Sequence, residues 1–211
     1  MTTEEYRCPI CGFNAPFETV RGRVHARCPQ CGGKERHRHQ FLACRDRGLA
    51  DRIASLRVLH VAPESCMAPL LQSGKQYVSF DLNPLRFPRP MVIGDLRDLP
   101  FLDGSFDLVW VSHVLEHIEE VDQAVREIHR VLDKDIGLAM LDVPFYGEKT
   151  KKMASADSLG HFWRPGQDWI ANRYEPIFGC EVIWANCFPA VYRANRQSPV
   201  VFGKPKALGC R

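Results

Sequence analysis

Residues 94–118 read GDLRDLPFLDGSFDLVWVSHVLEHI, and this stretch decides the fold. Its apolar run at 106–112 has the length and composition of a fully buried strand. Beyond it the period becomes that of an amphipathic helix, with apolar residues at 121, 124, 125, 128, 131 and 132. A buried strand followed by such a helix predicts one unit of a parallel sheet with helices packed on its faces.

The same alternation extends in both directions along the chain. Strands are predicted at 56–62, 77–81, 91–94, 106–112, 136–143, 180–186 and 191–202. Helices are predicted at 66–72, 121–132 and 167–177. This pattern predicts an α/β fold, a Rossmann-like seven-stranded, mostly parallel sheet with flanking helices.

Composition places the chain among ordinary globular proteins, because 45% of its 211 residues are apolar and 25% are charged. The net charge of +3 is too small to require nucleic acid or an anionic membrane as a partner. No apolar run reaches the roughly 18 to 20 residues that span a bilayer, and the N-terminus does not resemble a signal peptide. We therefore expect a cytoplasmic protein with no membrane partner.

Two copies of the motif Cys-Pro-x-Cys-Gly lie at 8–12 and 28–32. This double C-x2-C spacing is typical of a structural zinc site, and the alternating segment between the copies predicts a short hairpin. We expect four thiolates to bind Zn²⁺ and to complete a small zinc ribbon: Cys8, Cys11, Cys28 and Cys31. The other cysteines are interpreted as ordinary thiols: Cys44, Cys66, Cys180, Cys187 and Cys210.

The composition also predicts three units: a zinc ribbon at 1–33, a basic linking helix at 34–54 and a main domain at 55–211. The helix begins with the basic segment KERHRH. Two alternatives remain open for it. Its basic side is either a solvated face, or it directs Arg36 or Arg38 toward an anionic substrate.

Ligands of such sheets bind beyond the carboxyl ends of the strands. Asp81 ends the second predicted strand, where a carboxylate can accept both hydroxyls of a ribose. Asp95 and Leu96 follow the third strand, and Ser112 and His113 follow the fourth. The sequence therefore predicts a ligand site along this edge.

These motifs, together with YVSFDLNP at 77–84 and REIHRVL at 126–132, resemble the class I S-adenosylmethionine-dependent methyltransferases of the type 11 kind. The resemblance covers about residues 8–145. Within the family, the chain resembles a subgroup that has an N-terminal zinc ribbon and a His-Val-Ala-Pro-Glu segment. It implies that S-adenosylmethionine is the cofactor. The residues it implies in cofactor binding are His60, Ala62, Glu64, Asp81, Leu82, Asp95, Leu96, Ser112 and His113.

The first loop departs from the Gly-x-Gly-x-Gly pattern that is common in this family. Ala62 and Glu64 stand where the first two glycines would fall. Glu64 is interpreted as an acceptor for the methionyl ammonium of the cofactor, a role compatible with capping the next helix.

Methyl transfer requires alignment more than a fixed base, so candidate bases are proposed only by position. They are His113, His117 and His161, and Arg164 is a candidate substrate contact beside Arg36 and Arg38. The leading hypothesis is a methyltransferase for a small molecule. The alternatives are an RNA methyltransferase whose ribbon and basic helix bind nucleic acid, and a zinc-ribbon interaction protein without enzyme activity. The first is favoured because the sequence has no long basic tract with interleaved aromatic residues.

Overall fold

The computed structural model describes residues 6–194 and 198–207, so Cys210 lies outside the described residues. The strands are β1 Glu18–Val20, β2 Arg23–Arg27, β3 Arg57–Val61, β4 Gln76–Asp81, β5 Val92–Ile93, β6 Leu108–Ser112, β7 Leu138–Asp142, β8 Lys151–Lys152, β9 Trp163–Arg164, β10 Phe178–Ile183 and β11 Val200–Pro205. The α-helices are α1 Glu35–Asp46, α2 Ala68–Leu71 and α3 Val121–Val131. Shorter helical segments lie at Ala50–Ser55, Leu115–His117, Ile170–Tyr174, Ala185–Cys187 and Ala190–Tyr192.

Seven strands form one central sheet in the order β10-β11-β7-β6-β3-β4-β5. The five strands from β7 to β5 run parallel to one another, and β11 is antiparallel to both of its neighbours. All five residues of β6 and of β7 are buried, as expected for strands with covered faces. The predicted Rossmann-like, mostly parallel sheet is confirmed.

The two faces of the sheet bury separate groups of side chains, because successive residues of a strand point to opposite sides. Val109 and Val111 of β6 belong to the core that includes the apolar side of α3. Leu108 and Trp110 belong to the other core, which includes Leu42 of α1. The predicted spacing of apolar residues in 121–132 thus corresponds to the buried side of α3.

Several predicted bounds are wrong near prolines and in loops. The helix expected at 66–72 is shortened to Ala68–Leu71, with a proline in its first turn, and that at 167–177 to Ile170–Tyr174. The last strand was expected within 191–202, but β11 overlaps only the end of that range: it begins at Val200, directly after Pro199, which has no backbone N–H to donate, and continues to Pro205. The segment 185–192 instead forms two short helical turns.

The N-terminal segment forms the predicted hairpin from β1 and β2. Its turn places Arg21 and Gly22 at φ values of 50° and 77°, the left-handed pair that suits a two-residue hairpin loop. The cysteine motifs adopt one shared geometry, in which the N–H of Gly12 or Gly32 donates to the carbonyl of the first cysteine at 2.9 Å. The boundaries at 33/34 and 54/55 stay predictions.

The predicted linking helix is two pieces, because α1 ends at Asp46 and the chain turns at Gly48, where φ is +65°. The alternative of a solvated basic face is wrong, since His37, Arg38 and His39 are buried. Instead α1 lies across the carboxyl ends of β6 and β7. Within the described residues, no helix combines the length and the apolar character that crossing a bilayer requires.

Candidate active site

A cavity of about 550 Å³ opens at the carboxyl ends of four adjacent parallel strands. This volume lies in the range of small-molecule and cofactor sites. The predicted residues on its wall are Ala62, Asp81, Leu82, Asp95, Leu96, His113 and His117. Phe162, from the aromatic segment near His161 that suits a substrate wall, also lines the cavity. Other wall residues, which sequence reasoning did not single out, include Phe80, Arg86, Arg97, Ile118 and Glu120.

Two strand ends on the cavity wall have left-handed backbone. Ala62 follows β3 with φ at +51°, and His113 follows β6 with φ at +53°. A residue with a Cβ atom is strained in this region, by about 1 to 3 kcal/mol, and glycine is not. The loop therefore keeps at Ala62 the conformation that a glycine would favour. Backbone hydrogen bonds fix both positions, from Ala62 N to Phe80 O and from His113 N to Asp142 O, each at 2.8 Å.

Asp81 lies at the end of β4 with its carboxylate directed along the cavity wall. Its Oδ1 accepts the Asn83 N–H at 2.8 Å. Its Oδ2 lies 3.1 Å from Arg86 Nε as an ion pair, yet it accepts no hydrogen bond from any residue that the structure describes. This buried oxygen has the chemistry that fits a ribose hydroxyl. Leu82, the next residue, is 69% exposed at the mouth of the cavity.

Asp95 follows β5 and is held in place by Arg97. The Arg97 guanidinium donates to both carboxylate oxygens of Asp95, at 3.0 and 2.6 Å for the shortest contacts. These hydrogen bonds hold the pKa of Asp95 below its ordinary value. Leu96 is buried beneath the cavity and presents an apolar wall. An acceptor and an apolar surface side by side suit an adenine ring.

Glu64 is buried in the loop after β3. Burial alone would raise its pKa, but the hydrogen bond from His60 brings the pKa below its ordinary value. His60 has no exposed surface: its Nε2 lies 3.1 Å from Glu64 Oε2, and its Nδ1 lies 3.1 Å from the Tyr77 hydroxyl. Neither His60 nor Glu64 is on the cavity wall. We therefore correct the prediction for His60, which positions Glu64.

Helix α1 contributes a polar contact layer that sequence reasoning missed. Gln40 Nε2 donates to Ser112 Oγ at 2.8 Å and also to Asp142 at the end of β7. The Ser112 hydroxyl is therefore occupied by α1 rather than turned to the cavity. His37 lies 3.0 Å from the thiol of Cys66, and burial lowers the His37 pKa to about 3, which keeps the ring neutral. The signal available in the sequence for these contacts was the spacing of two polar residues, His37 and Gln40, three apart on one side of the helix.

The two arginines of α1 that were predicted to contact substrate, Arg36 and Arg38, have different environments. Arg36 is half-buried one turn before Gln40, and its Nε makes no hydrogen bond within 6–194 and 198–207. The prediction that Arg38 contacts substrate is wrong, because its side chain has no exposed surface. Its guanidinium donates to four backbone carbonyls, at 2.7 to 3.1 Å: Ala26, Gly33, Tyr192 and Arg193.

The three candidate histidines come together around Glu116, a residue the sequence analysis did not single out. His113 Nδ1 lies 3.3 Å from Glu116 Oε1, and His117 Nε2 lies 4.0 Å from the same oxygen. The rings of His117 and His161 are 4.6 Å apart between centroids. Burial lowers the pKa of His161 and favours its neutral ring. Arg164 is half-exposed and 3.7 Å from Asp157, and it is not on the cavity wall.

The four N-terminal cysteines form a compact cluster. Sγ of Cys8 and Cys31 are 3.7 Å apart, those of Cys11 and Cys28 are 3.6 Å apart, and all four lie within 4.8 Å of one another. Zn–S bonds of about 2.3 Å in a tetrahedron place neighbouring sulfurs about 3.8 Å apart. The donor set and its spacing therefore fit Zn²⁺. The eight cysteines within the described residues are free of disulfides.

Comparison with known proteins adds a family match to this geometry. Residues 62–139 match the family described as Methyltransferase domain. The chain is 31% identical over 78 residues to the 2-phytyl-1,4-naphtoquinone methyltransferase of Nostoc sp., which covers 36% of this chain and 32% of that protein. The chain thus spans less than half of this curated relative.

Two solved structures share the fold. The PH0226 protein of Pyrococcus horikoshii OT3 has a TM-score of 0.55 and 16% identity, and it covers 81% of this chain and 92% of its own. An S-adenosylmethionine dependent methyltransferase of Mesorhizobium loti has a TM-score of 0.50 and 17% identity, covering 79% and 97%. Residues 62–139 of this chain are therefore similar to a methyltransferase domain, and the central sheet shares the fold of these two structures.

Proposed function

We propose that the protein binds S-adenosylmethionine in the cavity at the carboxyl ends of β3 to β6 and methylates a small molecule. The single observation that carries this proposal is the cavity wall itself. Asp81 and Asp95 stand on neighbouring strands there, each with a carboxylate that can accept hydrogen bonds. This placement supports ribose at Asp81 and adenine between Asp95 and Leu96.

The charge of the site supports a cationic cofactor. Buried carboxylates of Glu64, Glu116 and Asp142 lie at or beyond the carboxyl ends of β3, β6 and β7. In a site of low dielectric such groups attract a cation strongly. Glu64 Oε1 makes no hydrogen bond among the described residues and lies 3.6 Å from His37 Nε2, behind the cavity wall, so we propose that Glu64 acts on the methionyl ammonium through its charge.

When bound, S-adenosylmethionine supplies a methyl group on a positively charged sulfur, and because the electron pair of the carbon–sulfur bond stays on sulfur, the transfer needs no oxidant or reductant. The cavity wall would align the acceptor atom with that methyl group and exclude water, and a base of this chain would take the proton that the acceptor loses. His113 is the histidine on the cavity wall nearest the strand ends, and we propose it as that base. The left-handed backbone at His113 directs this ring into the site.

The small-molecule acceptor is favoured by the enclosure of the cavity and by the matched relative, whose own acceptor class is a quinone. Phe162 and Ile118 form an apolar wall beside His117. An acceptor with an aromatic or apolar body and a polar nucleophilic atom fits this arrangement. The accepting atom of that molecule can be oxygen, nitrogen, sulfur or carbon.

Calorimetry with S-adenosylhomocysteine, the demethylated product, tests the proposal. Asp81→Asn removes the charged acceptor and is expected to weaken binding about 5- to 100-fold, the equivalent of about 1 to 3 kcal/mol. Asp98→Asn is the matched control, because Asp98 is exposed and is not on the cavity wall. Absence of binding heat with millimolar ligand would refute the enzyme assignment for this cavity.

We also propose that the four-cysteine cluster binds one structural Zn²⁺. Four thiolates fill the tetrahedral coordination of the ion, so no position is left for substrate. The ion stabilises the ribbon that packs on α1, and α1 in turn contacts Ser112 and Asp142.

A further inference from the structure

Glu116 is the most unusual polar group near the cavity. Its side chain has no exposed surface, and neither carboxylate oxygen makes a hydrogen bond within the described part of the chain. Burying a carboxylate without hydrogen bonds is strongly unfavourable in the absence of a compensating cation. His113 Nδ1 lies 3.3 Å from Glu116 Oε1, so this buried carboxyl group has histidine neighbours but accepts no hydrogen bond within the described part of the chain.

His117 presents a metal-ligating nitrogen toward this carboxylate. Its Nδ1 lies 3.1 Å from the carbonyl oxygen of Gly160, which can only accept, so Nδ1 carries the hydrogen. In the neutral ring Nε2 then has the lone pair, and Nε2 is the nitrogen 4.0 Å from Glu116 Oε1. A histidine that donates through one nitrogen to a carbonyl and offers the other is the usual arrangement of a metal ligand.

His161 completes the group from a distant part of the sequence. One ligand atom each from Glu116, His117 and His161 lies within 4.8 Å of the others. His161 Nδ1 is 3.3 Å from the Tyr146 hydroxyl, which orients the ring, and the ring is nearly buried.

Backbone hydrogen bonds hold these ligands in register without any ion. Phe162 N donates to Glu116 O at 2.9 Å, and the Trp163 indole N–H donates to Ile118 O at 2.9 Å. The segment that carries His161 is thereby fixed against the segment that carries Glu116 and His117. A preformed site of this kind needs no large rearrangement to take up a ligand.

We propose that Glu116, His117 and His161 bind a divalent first-row transition metal ion. Two imidazoles and one carboxylate suit Mn²⁺, Fe²⁺, Co²⁺ or Zn²⁺ better than Mg²⁺ or Ca²⁺, which prefer sites made of oxygen ligands only. The set of three protein ligands leaves coordination positions for exogenous oxygen atoms. This site is separate from the four-cysteine cluster, which has a closed set of thiolates.

The position of the ion indicates its use, and this part of the inference rests on the proposed function. His117 lies on the cavity wall beside Phe162 and Ile118, the wall assigned above to the acceptor. An ion at this wall would bind a hydroxyl or enolate oxygen of the acceptor and favour its deprotonated form. The acceptor class that follows is a molecule with two adjacent oxygen atoms that can chelate the ion.

Titration with Mn²⁺ tests the site, with electron paramagnetic resonance used to measure free Mn²⁺. The full-length protein keeps its ribbon zinc, because soft thiolates bind Mn²⁺ poorly. We expect one Mn²⁺ per chain in the micromolar range. Glu116→Gln and His117→Ala should each weaken binding at least about tenfold. Glu119→Gln, the same substitution at a half-exposed rim position, should leave Mn²⁺ affinity unchanged.

The outcomes separate this inference from the proposed function. Failure of the wild type to bind Mn²⁺ below millimolar concentration, or equal binding by wild type and Glu116→Gln, would overturn the metal site. His117 is partly exposed, so His117→Ala is expected to fold even where a variant at buried Glu116 does not. Mn²⁺ binding without any binding of S-adenosylhomocysteine would instead retain the metal site and refute the proposed methyl transfer.

Discussion

Replacement of Arg38 by methionine tests how the ribbon is attached to the main domain. The guanidinium donates to Ala26 and Gly33 in the ribbon segment and to Tyr192 and Arg193 in the segment before β11. The same group lies 4.6 Å from the centre of the Phe17 ring. Methionine preserves most of the aliphatic volume of the side chain, so the change removes donors and charge more than packing.

The magnitude follows from the number of carbonyls left without a donor. A hydrogen bond to a charged group contributes about 1.5 to 3 kcal/mol, so four would sum to about 6 to 12 kcal/mol if they were independent. Bonds from one guanidinium are coupled, and losses above about 5 kcal/mol are exceptional for one substitution. We expect about 4 kcal/mol, or close to a thousandfold change in the equilibrium between the docked and the undocked ribbon.

Hydrogen–deuterium exchange of the zinc-loaded protein measures this equilibrium locally. Protection should fall in β1, β2 and residues 188–194, while β6 and β7 keep theirs. Arg52→Met is the control, because Arg52 is exposed in the short helical segment after α1 and forms no ion pair among those described. Unchanged protection of the ribbon in Arg38→Met would show that the four hydrogen bonds do not hold it in place.

Three further changes have defined outcomes. Cys28→Ser should reduce zinc from about one ion per chain to none and make residues 6–33 sensitive to protease, because metal binding and folding of such modules share one free energy; a metal-free, protease-resistant ribbon would contradict this. Ala62→Gly should raise the free energy of unfolding by about 0.5 kcal/mol in urea titration. The reason is that relief of about 1 to 2 kcal/mol of left-handed strain outweighs the backbone entropy of glycine. Ala68→Gly in α2, the control, should lower the free energy of unfolding. Asp107→Asn should lower the free energy of unfolding by about 1 to 3 kcal/mol at pH 7. Burial raises the pKa of this carboxylate, but hydrogen bonds from Arg57 bring the pKa below its ordinary value. That contribution is fully present above the pKa of aspartate in the unfolded chain, about 4, and is lost as the pH falls through the lowered pKa of the folded protein. Urea titrations of wild type and variant should therefore converge once the pH is below that lowered pKa, and a constant difference would refute the assignment.

The sequence predicted the sheet well because periodicity is a local property. The run 106–112 and the spacing in 121–132 correspond to β6 and α3 within a few residues, and the cysteine spacing placed four sulfurs together. What it did not predict depends on tertiary contacts. Arg36 or Arg38 was expected at a substrate because both lie in the basic segment that begins the helix. Arginine is seldom buried, yet four carbonyls from two distant segments surround Arg38.

Similar reasons explain the errors at the site. His60 was expected to contact the cofactor, but its side chain in β3 is buried off the cavity wall and contacts Glu64. Glu116 was overlooked because one acid between two histidines has no distinctive pattern. Its burial depends on the segment around His161, which is more than forty residues away.

Two stretches of chain form the site, and hydrogen bonds from Phe162 to Glu116 and from Trp163 to Ile118 join them. The half that would hold the nucleoside is built from β3, β4 and β5 and their loops, whereas the opposite wall depends on residues 144–165, beyond β7. Changes in the latter stretch can remodel which molecules are accepted while the nucleoside half is untouched. Under the proposed function, acceptor selectivity would be a trait separable from cofactor binding, and the stretch around His161 is where it would diverge.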